Sequence, residues 1–255
     1  MSRLLRFLII GALLVSAGPS AIADVFEQQS EPLTLQTSDG VTIYGDWFET
    51  ADSRATILLF HQGGSNARAE YPAIIKRLLA KNFSVLTIDQ RRGGQTYGKY
   101  NRTVAEDPRR WSYCEVTPDL EAAVDYAKSK RPDDQMILWG SSYSAALALR
   151  LGASRQDEFA GVLAFSPASG GPMAECSGDV AFPELQIPAM VLRPASEAEN
   201  ESVVAQLEAA REHGLTVYVP DPGVHGSSML VEDRVQADTS ETWSQVETFL
   251  GSLVQ

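Results

Sequence analysis

Cysteine and histidine are both scarce in this 255-residue chain, with two of the first and three of the second. Metal chemistry therefore has little to build on. No H-E-x-x-H or C-x-x-C spacing and no clustered carboxylates occur, and His61, His213 and His225 lie in separate segments. Gly63-Gly64 and Gly93-Gly94 stand alone and do not make a dinucleotide fingerprint, so no metal and no cofactor is expected. Internal repeats and low-complexity stretches are absent. Positive charge is also short. Lys and Arg number 21 against 33 Asp and Glu, a formal charge of −12, which makes nucleic acid and anionic membrane surfaces poor candidate partners.

Apart from one N-terminal run, the chain has no apolar stretch suggestive of a membrane. That run, Phe7 to Val15, follows a start containing Arg3 and Arg6 and leads into small residues ending Ala21-Ile22-Ala23. It has the tripartite layout of a secretory signal peptide over residues 1–23, with cleavage expected before Asp24. The run is shorter than the ~20 apolar residues that span hydrocarbon, and Gly18, Pro19 and Ser20 interrupt it, so no stable anchor is expected after cleavage. With no Cys at the cleavage site and no adjacent Arg pair before the run, neither lipidation nor twin-arginine export is indicated. The protein is expected to be exported, periplasmic or secreted. Losing Arg3 and Arg6 takes the formal charge of residues 24–255 from −12 to −14. In an oxidising compartment Cys114 and Cys176 could pair or remain two separate thiols, and the sequence leaves both open.

Residues 24–255 suffice for one large domain. Leu33–Thr37, the Ser38-Asp39-Gly40 turn and Val41–Phe48 read as a hairpin. Short apolar runs then alternate with helical periodicity. Strands are expected at Ala55–Phe60, Ser84–Ile88, Met136–Trp139, Gly161–Phe165, Ala189–Leu192 and Leu215–Val219. Helices are expected near Arg68–Lys81, Pro118–Lys130, Tyr143–Ala153, Glu197–Glu212 and Ser240–Leu253. This alternation predicts an α/β fold, a doubly wound and mostly parallel sheet preceded by an antiparallel hairpin. The long connections Gln90–Thr117 and Pro167–Pro188 both follow strands, at the sheet edge where such folds build sites.

The segment Met136-Ile-Leu-Trp-Gly140-Ser-Ser142-Tyr-Ser144 places Ser142 between a buried strand and a helix, the context of a strained nucleophile elbow. Ser144 stands where G-x-S-x-G has its second glycine. Without that context the motif would be a helix cap and nothing more. A serine nucleophile needs a base. His213 sits at a helix end, where it complements the dipole, and His61 lies upstream of Ser142. His225, in the turn-rich loop after the last strand, is the expected base.

The order of these parts over nearly all of residues 24–255 resembles the α/β-hydrolase superfamily. The resemblance implies an acid in the turn after the penultimate strand, where Ile187-Pro188-Ala-Met-Val-Leu192-Arg-Pro194-Ala-Ser-Glu197 offers Glu197, with Glu199 and then Asp221 behind it. Glu197 could instead simply open a helix. The resemblance also implies an oxyanion hole from the backbone N–H of Tyr143 and, through His61-Gln62-Gly63-Gly64, of Gly63, with Gln62 the alternative. Asp89-Gln-Arg91-Arg92-Gly93-Gly94 is similar to the superfamily's D-x-R-G-x-G turn and is expected to be structural. Pro167–Pro188 is too short for a large lid domain, so the chain looks like a compact member, near dienelactone-hydrolase-like proteins and small esterases. Pocket residues expected on this basis are His61, Gln62, Trp111 and Tyr113, with Tyr97 and Tyr100 along the same loop. A Cys114–Cys176 bridge would tie the two long connections together. The implied reaction is hydrolysis of a small-molecule ester or related acyl substrate. A thioesterase, peptidase or acyltransferase using the same parts, or a catalytically silent binding protein on the same fold, are the alternatives.

Overall fold

The computed structural model describes residues 24–254, so the expected signal peptide, residues 1–23, lies outside the described residues. Eight strands form one sheet: β1 (Glu31–Gln36), β2 (Thr42–Phe48), β3 (Thr56–Phe60), β4 (Ser84–Asp89), β5 (Met136–Ser141), β6 (Phe159–Phe165), β7 (Ala189–Leu192) and β8 (Thr216–Tyr218). Their spatial order is β1-β2-β4-β3-β5-β6-β7-β8. The β1–β2 and β2–β4 pairs are antiparallel and every other pair is parallel. This is the doubly wound sheet with a leading hairpin that the alternating pattern predicts.

Nine helices accompany the strands among the described residues: α1 (Asp24–Gln29), α2 (Ala67–Glu70), α3 (Pro72–Ala80), α4 (Arg102–Glu106), α5 (Thr117–Lys130), α6 (Tyr143–Ser154), α7 (Glu201–Glu212), α8 (Glu232–Val235) and α9 (Ser240–Leu253). Two expectations need correction. The helix expected over Arg68–Lys81 is two helices that break at Tyr71, because Pro72 lacks the N–H that would continue the helical ladder. The helix expected from Glu197 begins only at Glu201, where Asn200 caps it by accepting the Ser202 N–H at 3.0 Å. The short helix α4, inside the long connection after β4, carries no strong periodicity and went unread.

The central strands are apolar on both faces because both faces are covered. In β3, Leu58 and Phe60 enter a core packed by α5, α6 and α7, while Ile57 and Leu59 enter a second core packed by α3 and α9. Between β6 and β7 the chain makes only two 3₁₀ turns, Gly171–Met173 and Gly178–Ala181, and carries no lid domain. From β3 the chain crosses first to β4 on one side and later to β5 on the other. The carboxyl ends of β3 and β5 therefore flank the point where winding reverses, which is where a crevice opens in such sheets. No helix among the described residues is long and apolar enough to cross a membrane.

Candidate active site

Ser142 follows β5 at that crevice with φ +61° and ψ −119°. A non-glycine residue rarely takes this conformation, and here the surroundings enforce it. The Ser142 N–H donates to the Phe165 carbonyl at 2.8 Å, and its own carbonyl accepts from Ala145 at 3.0 Å and Ala168 at 3.1 Å. Gly140 is required by close approach, since a Cβ there would lie 2.4 Å from the Ala145 Cα and the Ser144 carbonyl.

Ser144, the departure from the glycine pattern, has a role that glycine could not fill. Its buried hydroxyl lies 2.6, 2.8 and 2.9 Å from the carbonyls of Phe60, His61 and Ser141. It also accepts the Ser141 N–H at 3.2 Å. With a single proton to share among three acceptors, it laces the end of β3 to the elbow after β5.

His225 lies in the connection between β8 and α8, half exposed, with Nδ1 2.5 Å from Glu197 Oε1. A carboxylate can only accept, so Nδ1 carries the proton and Nε2 is left as the basic nitrogen. Glu197 also accepts from the Arg193 guanidinium at 2.8 Å. Burial alone would raise its pKa, but the hydrogen bonds from His225 and Arg193 outweigh it and hold the carboxyl at about 2. Arg193 is itself buried and further fixed by Gln206 Oε1 and the Pro167 carbonyl. The loops carrying Glu197 and His225 run together, with the Ala195 N–H donating to the Pro220 carbonyl at 3.0 Å.

The neighbours of Ser142 and His225 are joined directly. The Ser227 N–H donates to Ser141 Oγ at 2.9 Å, and the Gly226 N–H donates to Ser166 Oγ at 3.0 Å. Gly226 has φ +67°, and a Cβ on it would meet Ser141 Oγ at 2.4 Å, so this latch tolerates nothing larger than glycine. Among the described residues no hydrogen bond yet links the Ser142 hydroxyl to His225. The latch holds the two residues on adjoining backbone at one sheet edge, and catalytic hydrogen bonds often tighten only when substrate is bound.

The loop after β3 offers the second half of a candidate anion site. Tyr143 opens α6, so its N–H precedes the first intrahelical bond and is free to face the crevice. The Gln62 N–H, the alternative donor, is already given to Glu70 Oε2 at 2.9 Å, which leaves Gly63 as the candidate from this loop. Glu70 is fully buried, and burial raises its pKa.

His61 is not a pocket residue in this structure. Its ring is fully buried behind the loop, with Nδ1 2.9 Å from the Gln62 carbonyl and Nε2 accepting the Gln90 N–H at 3.1 Å. Burial lowers its pKa, so it acts as a neutral brace. Trp111 is held by the guanidinium groups of Arg91 and Arg109 at 4.8 and 4.5 Å from its ring centroid. The Gln62 side chain is buried and reaches the Tyr97 hydroxyl at 3.4 Å, while Tyr100 is exposed. Tyr113 also meets the loop, with its hydroxyl 3.0 Å from where a Gly63 Cβ would lie. Cys114 and Cys176 form a disulfide, which ties the connection after β4 to the one after β6. His213 ends α7, away from these groups.

Glu70, Gln90 and Arg193 escaped the sequence reading. Gln90 braces both halves of the candidate anion site, since its Oε1 accepts the His61 N–H at 3.0 Å and its Nε2 donates to the Tyr143 hydroxyl at 3.0 Å. Its place directly after β4, at the same edge as Ser142, was the one available signal. The D-x-R turn is structural. Asp89 accepts the Ala67 N–H at 2.9 Å, and buried Arg91 pairs with Asp119 at 2.7 Å.

Taken as chemistry, the arrangement offers a half-buried serine on a strained turn, an imidazole oriented by a carboxylate, and two candidate backbone donors. That is the set that acyl transfer requires. A family model described as serine aminopeptidase, S33 matches residues 51–229. Among solved structures, an esterase of Pyrococcus furiosus is similar with a TM-score of 0.68 at 20% identity, over 91% of this chain and 94% of that one. A thermostable carboxyl esterase of Bacillus coagulans, solved with glycerol, reaches a TM-score of 0.70 at 11% identity, over 89% of this chain and 100% of that one. The acylaminoacyl peptidase of Pyrococcus horikoshii has a TM-score of 0.62 at 12% identity, over 91% of this chain but 43% of that one. No curated protein matches by sequence.

Proposed function

The chain belongs to the serine aminopeptidase, S33 family of α/β-hydrolases, and from that premise we propose an exported serine hydrolase that cleaves carboxylic esters through Ser142, His225 and Glu197. The observation that carries this reading is the 2.5 Å hydrogen bond between His225 Nδ1 and Glu197 Oε1. It gives the imidazole the tautomer a general base needs, beside a serine in elbow geometry. Ser142 Oγ attacks the acyl carbon while His225 Nε2 takes its proton. Negative charge develops on the carbonyl oxygen, where the N–H groups of Tyr143 and Gly63 stabilise it. His225 returns the proton to the leaving alcohol, and water then releases the acyl group from Ser142 by the same steps in reverse. Ester rather than amide cleavage is favoured because the similar esterases are covered over 94% and 100% of their length, the peptidase over 43%. The Cys114–Cys176 disulfide supports an oxidising, extracytoplasmic location.

The test is a fluorophosphonate probe applied to the wild-type protein and to Ser142→Ala, with p-nitrophenyl acetate turnover measured in parallel. Labelling and turnover of the wild type, both lost in the variant, are expected. A folded wild type that neither labels nor turns over would leave the fold without this activity.

A further inference from the structure

We propose that the side-chain hydroxyl of Tyr113 is a third donor to the oxyanion, beside the two backbone N–H groups. The inference rests on the hydrolase reading above and adds a catalytic side chain to it. Tyr113 comes from the connection after β4, far in sequence from both the elbow and the loop after β3, yet it is packed against the latter. A Cβ built on Gly63 would lie 3.0 Å from its hydroxyl oxygen and 3.3 and 3.4 Å from two carbons of its ring. The hydroxyl thus sits beside the residue whose N–H is the loop's candidate donor.

Three constraints hold it there. The Tyr113 ring packs on the Tyr143 ring at a centroid distance of 4.7 Å. The Arg92 guanidinium lies 4.8 Å from the same ring centroid. The next residue, Cys114, is tethered to Cys176. A side chain placed so firmly gives up little entropy when it binds a charge, which is the condition for electrostatic preorganisation.

The hydroxyl is also uncommitted. Tyr143 accepts from Gln90 and donates to the Arg92 carbonyl, and Tyr97 accepts from Gln62 and Ser228, whereas the Tyr113 hydroxyl has no hydrogen-bond partner among the described residues. Tyr113 is only half-buried. The Arg92 charge alongside favours negative charge at the same spot. As the tetrahedral intermediate forms, the Tyr113 O–H donates to the new oxyanion and keeps its proton. When the intermediate collapses, the bond weakens as the carbonyl re-forms, so the contact strengthens in the transition state alone.

The experiment compares wild type, Tyr113→Phe and Tyr113→Ala on p-nitrophenyl acetate, together with the affinity of a trifluoromethyl ketone that forms a tetrahedral adduct with serine. Removing one main oxyanion donor lowers kcat by about 10²–10³. For Tyr113→Phe, which keeps the ring and its packing, a fall in kcat of about 10- to 100-fold is expected, with KM changed less than 2-fold and the ketone weakened in proportion. An unchanged kcat in Tyr113→Phe, with a raised KM confined to Tyr113→Ala, would make Tyr113 a pocket wall and overturn the proposal. Fluorophosphonate labelling separates the two levels. A labelled, active wild type with a fully active Tyr113→Phe sinks this inference alone, and an unlabelled, inactive wild type sinks it together with the hydrolase reading.

Discussion

Glu70 Oε2 accepts the backbone N–H of Gln62 at 2.9 Å, from a carboxyl that is completely buried beneath the loop after β3. The contact commits the Gln62 N–H and leaves Gly63 as the candidate donor of this loop. Glu70→Ala should lower kcat at least 10-fold and cost about 1–3 kcal/mol of stability, the penalty for stranding a buried N–H. Glu70→Gln keeps the acceptor and should keep the activity. Burial raises the Glu70 pKa above its usual 4.5, so its favourable contribution is complete below 4.5 and is lost as pH rises through the raised value. Melting curves should therefore show Glu70→Gln gaining on the wild type between acid and alkaline pH. A constant difference would contradict the buried-charge account.

Glu197 has the opposite sign. Its folded-state pKa of about 2 lies below the usual 4.5, so its stabilisation is complete above 4.5 and fades as pH falls through about 2. The stability gap between the wild type and Glu197→Gln should be widest near neutrality, no more than about 3 kcal/mol, and close in strong acid. In the same variant kcat should fall by about 10³–10⁴, because an amide no longer enforces the tautomer of His225. Glu199→Gln should be nearly neutral in both measurements, and a reversal of the two would move the acid to Glu199.

Ser144→Ala removes the hydroxyl that bridges the carbonyls of Phe60, His61 and Ser141. A loss of about 1–3 kcal/mol is expected, which for a domain of this size lowers Tm by roughly 2–12 °C. Calorimetry checks it, and an unchanged Tm would show that relaxed backbone can satisfy these groups unaided.

Reduction of the Cys114–Cys176 disulfide opens a loop of sequence separation 62. Chain entropy predicts a destabilisation of about 4 kcal/mol for a loop of this length. Because Cys114 adjoins Tyr113, kcat should fall along with Tm when the protein is titrated with dithiothreitol. Cys114→Ser with Cys176→Ser should reproduce both changes without reductant, and full activity in that variant would uncouple the bridge from the site.

Export predicts a mature chain that starts at Asp24. N-terminal sequencing of the extracytoplasmic protein reads this directly, and a chain still carrying residues 1–23 would refute the cleavage.

What the sequence determined by itself was local. Alternating short apolar runs and helical periodicity specify strands and helices through contacts within a few residues, so the central strands were legible nearly to their ends. Ser142 was legible for the same reason, since a buried strand, a small turn and a helix follow one another without a gap. His225 emerged because only three histidines exist and one of them follows the last strand. The tertiary structure decided everything that depended on which loops meet. Glu197 had two readings in sequence, a helix opener or an acid, and only the proximity of the loops after β7 and β8 brings it into hydrogen bond with His225. The glycines of His61-Gln62-Gly63-Gly64 suggested a backbone donor, but the sequence could not show that His61 turns inward while Glu70 claims the Gln62 N–H. Tyr113, likewise, is one aromatic among several along its loop until the sheet order and the disulfide bring it against Gly63. Local propensity sets the elements, whereas the order in which the strands are wound sets which side chains share an edge, and the proposed chemistry lies at that edge.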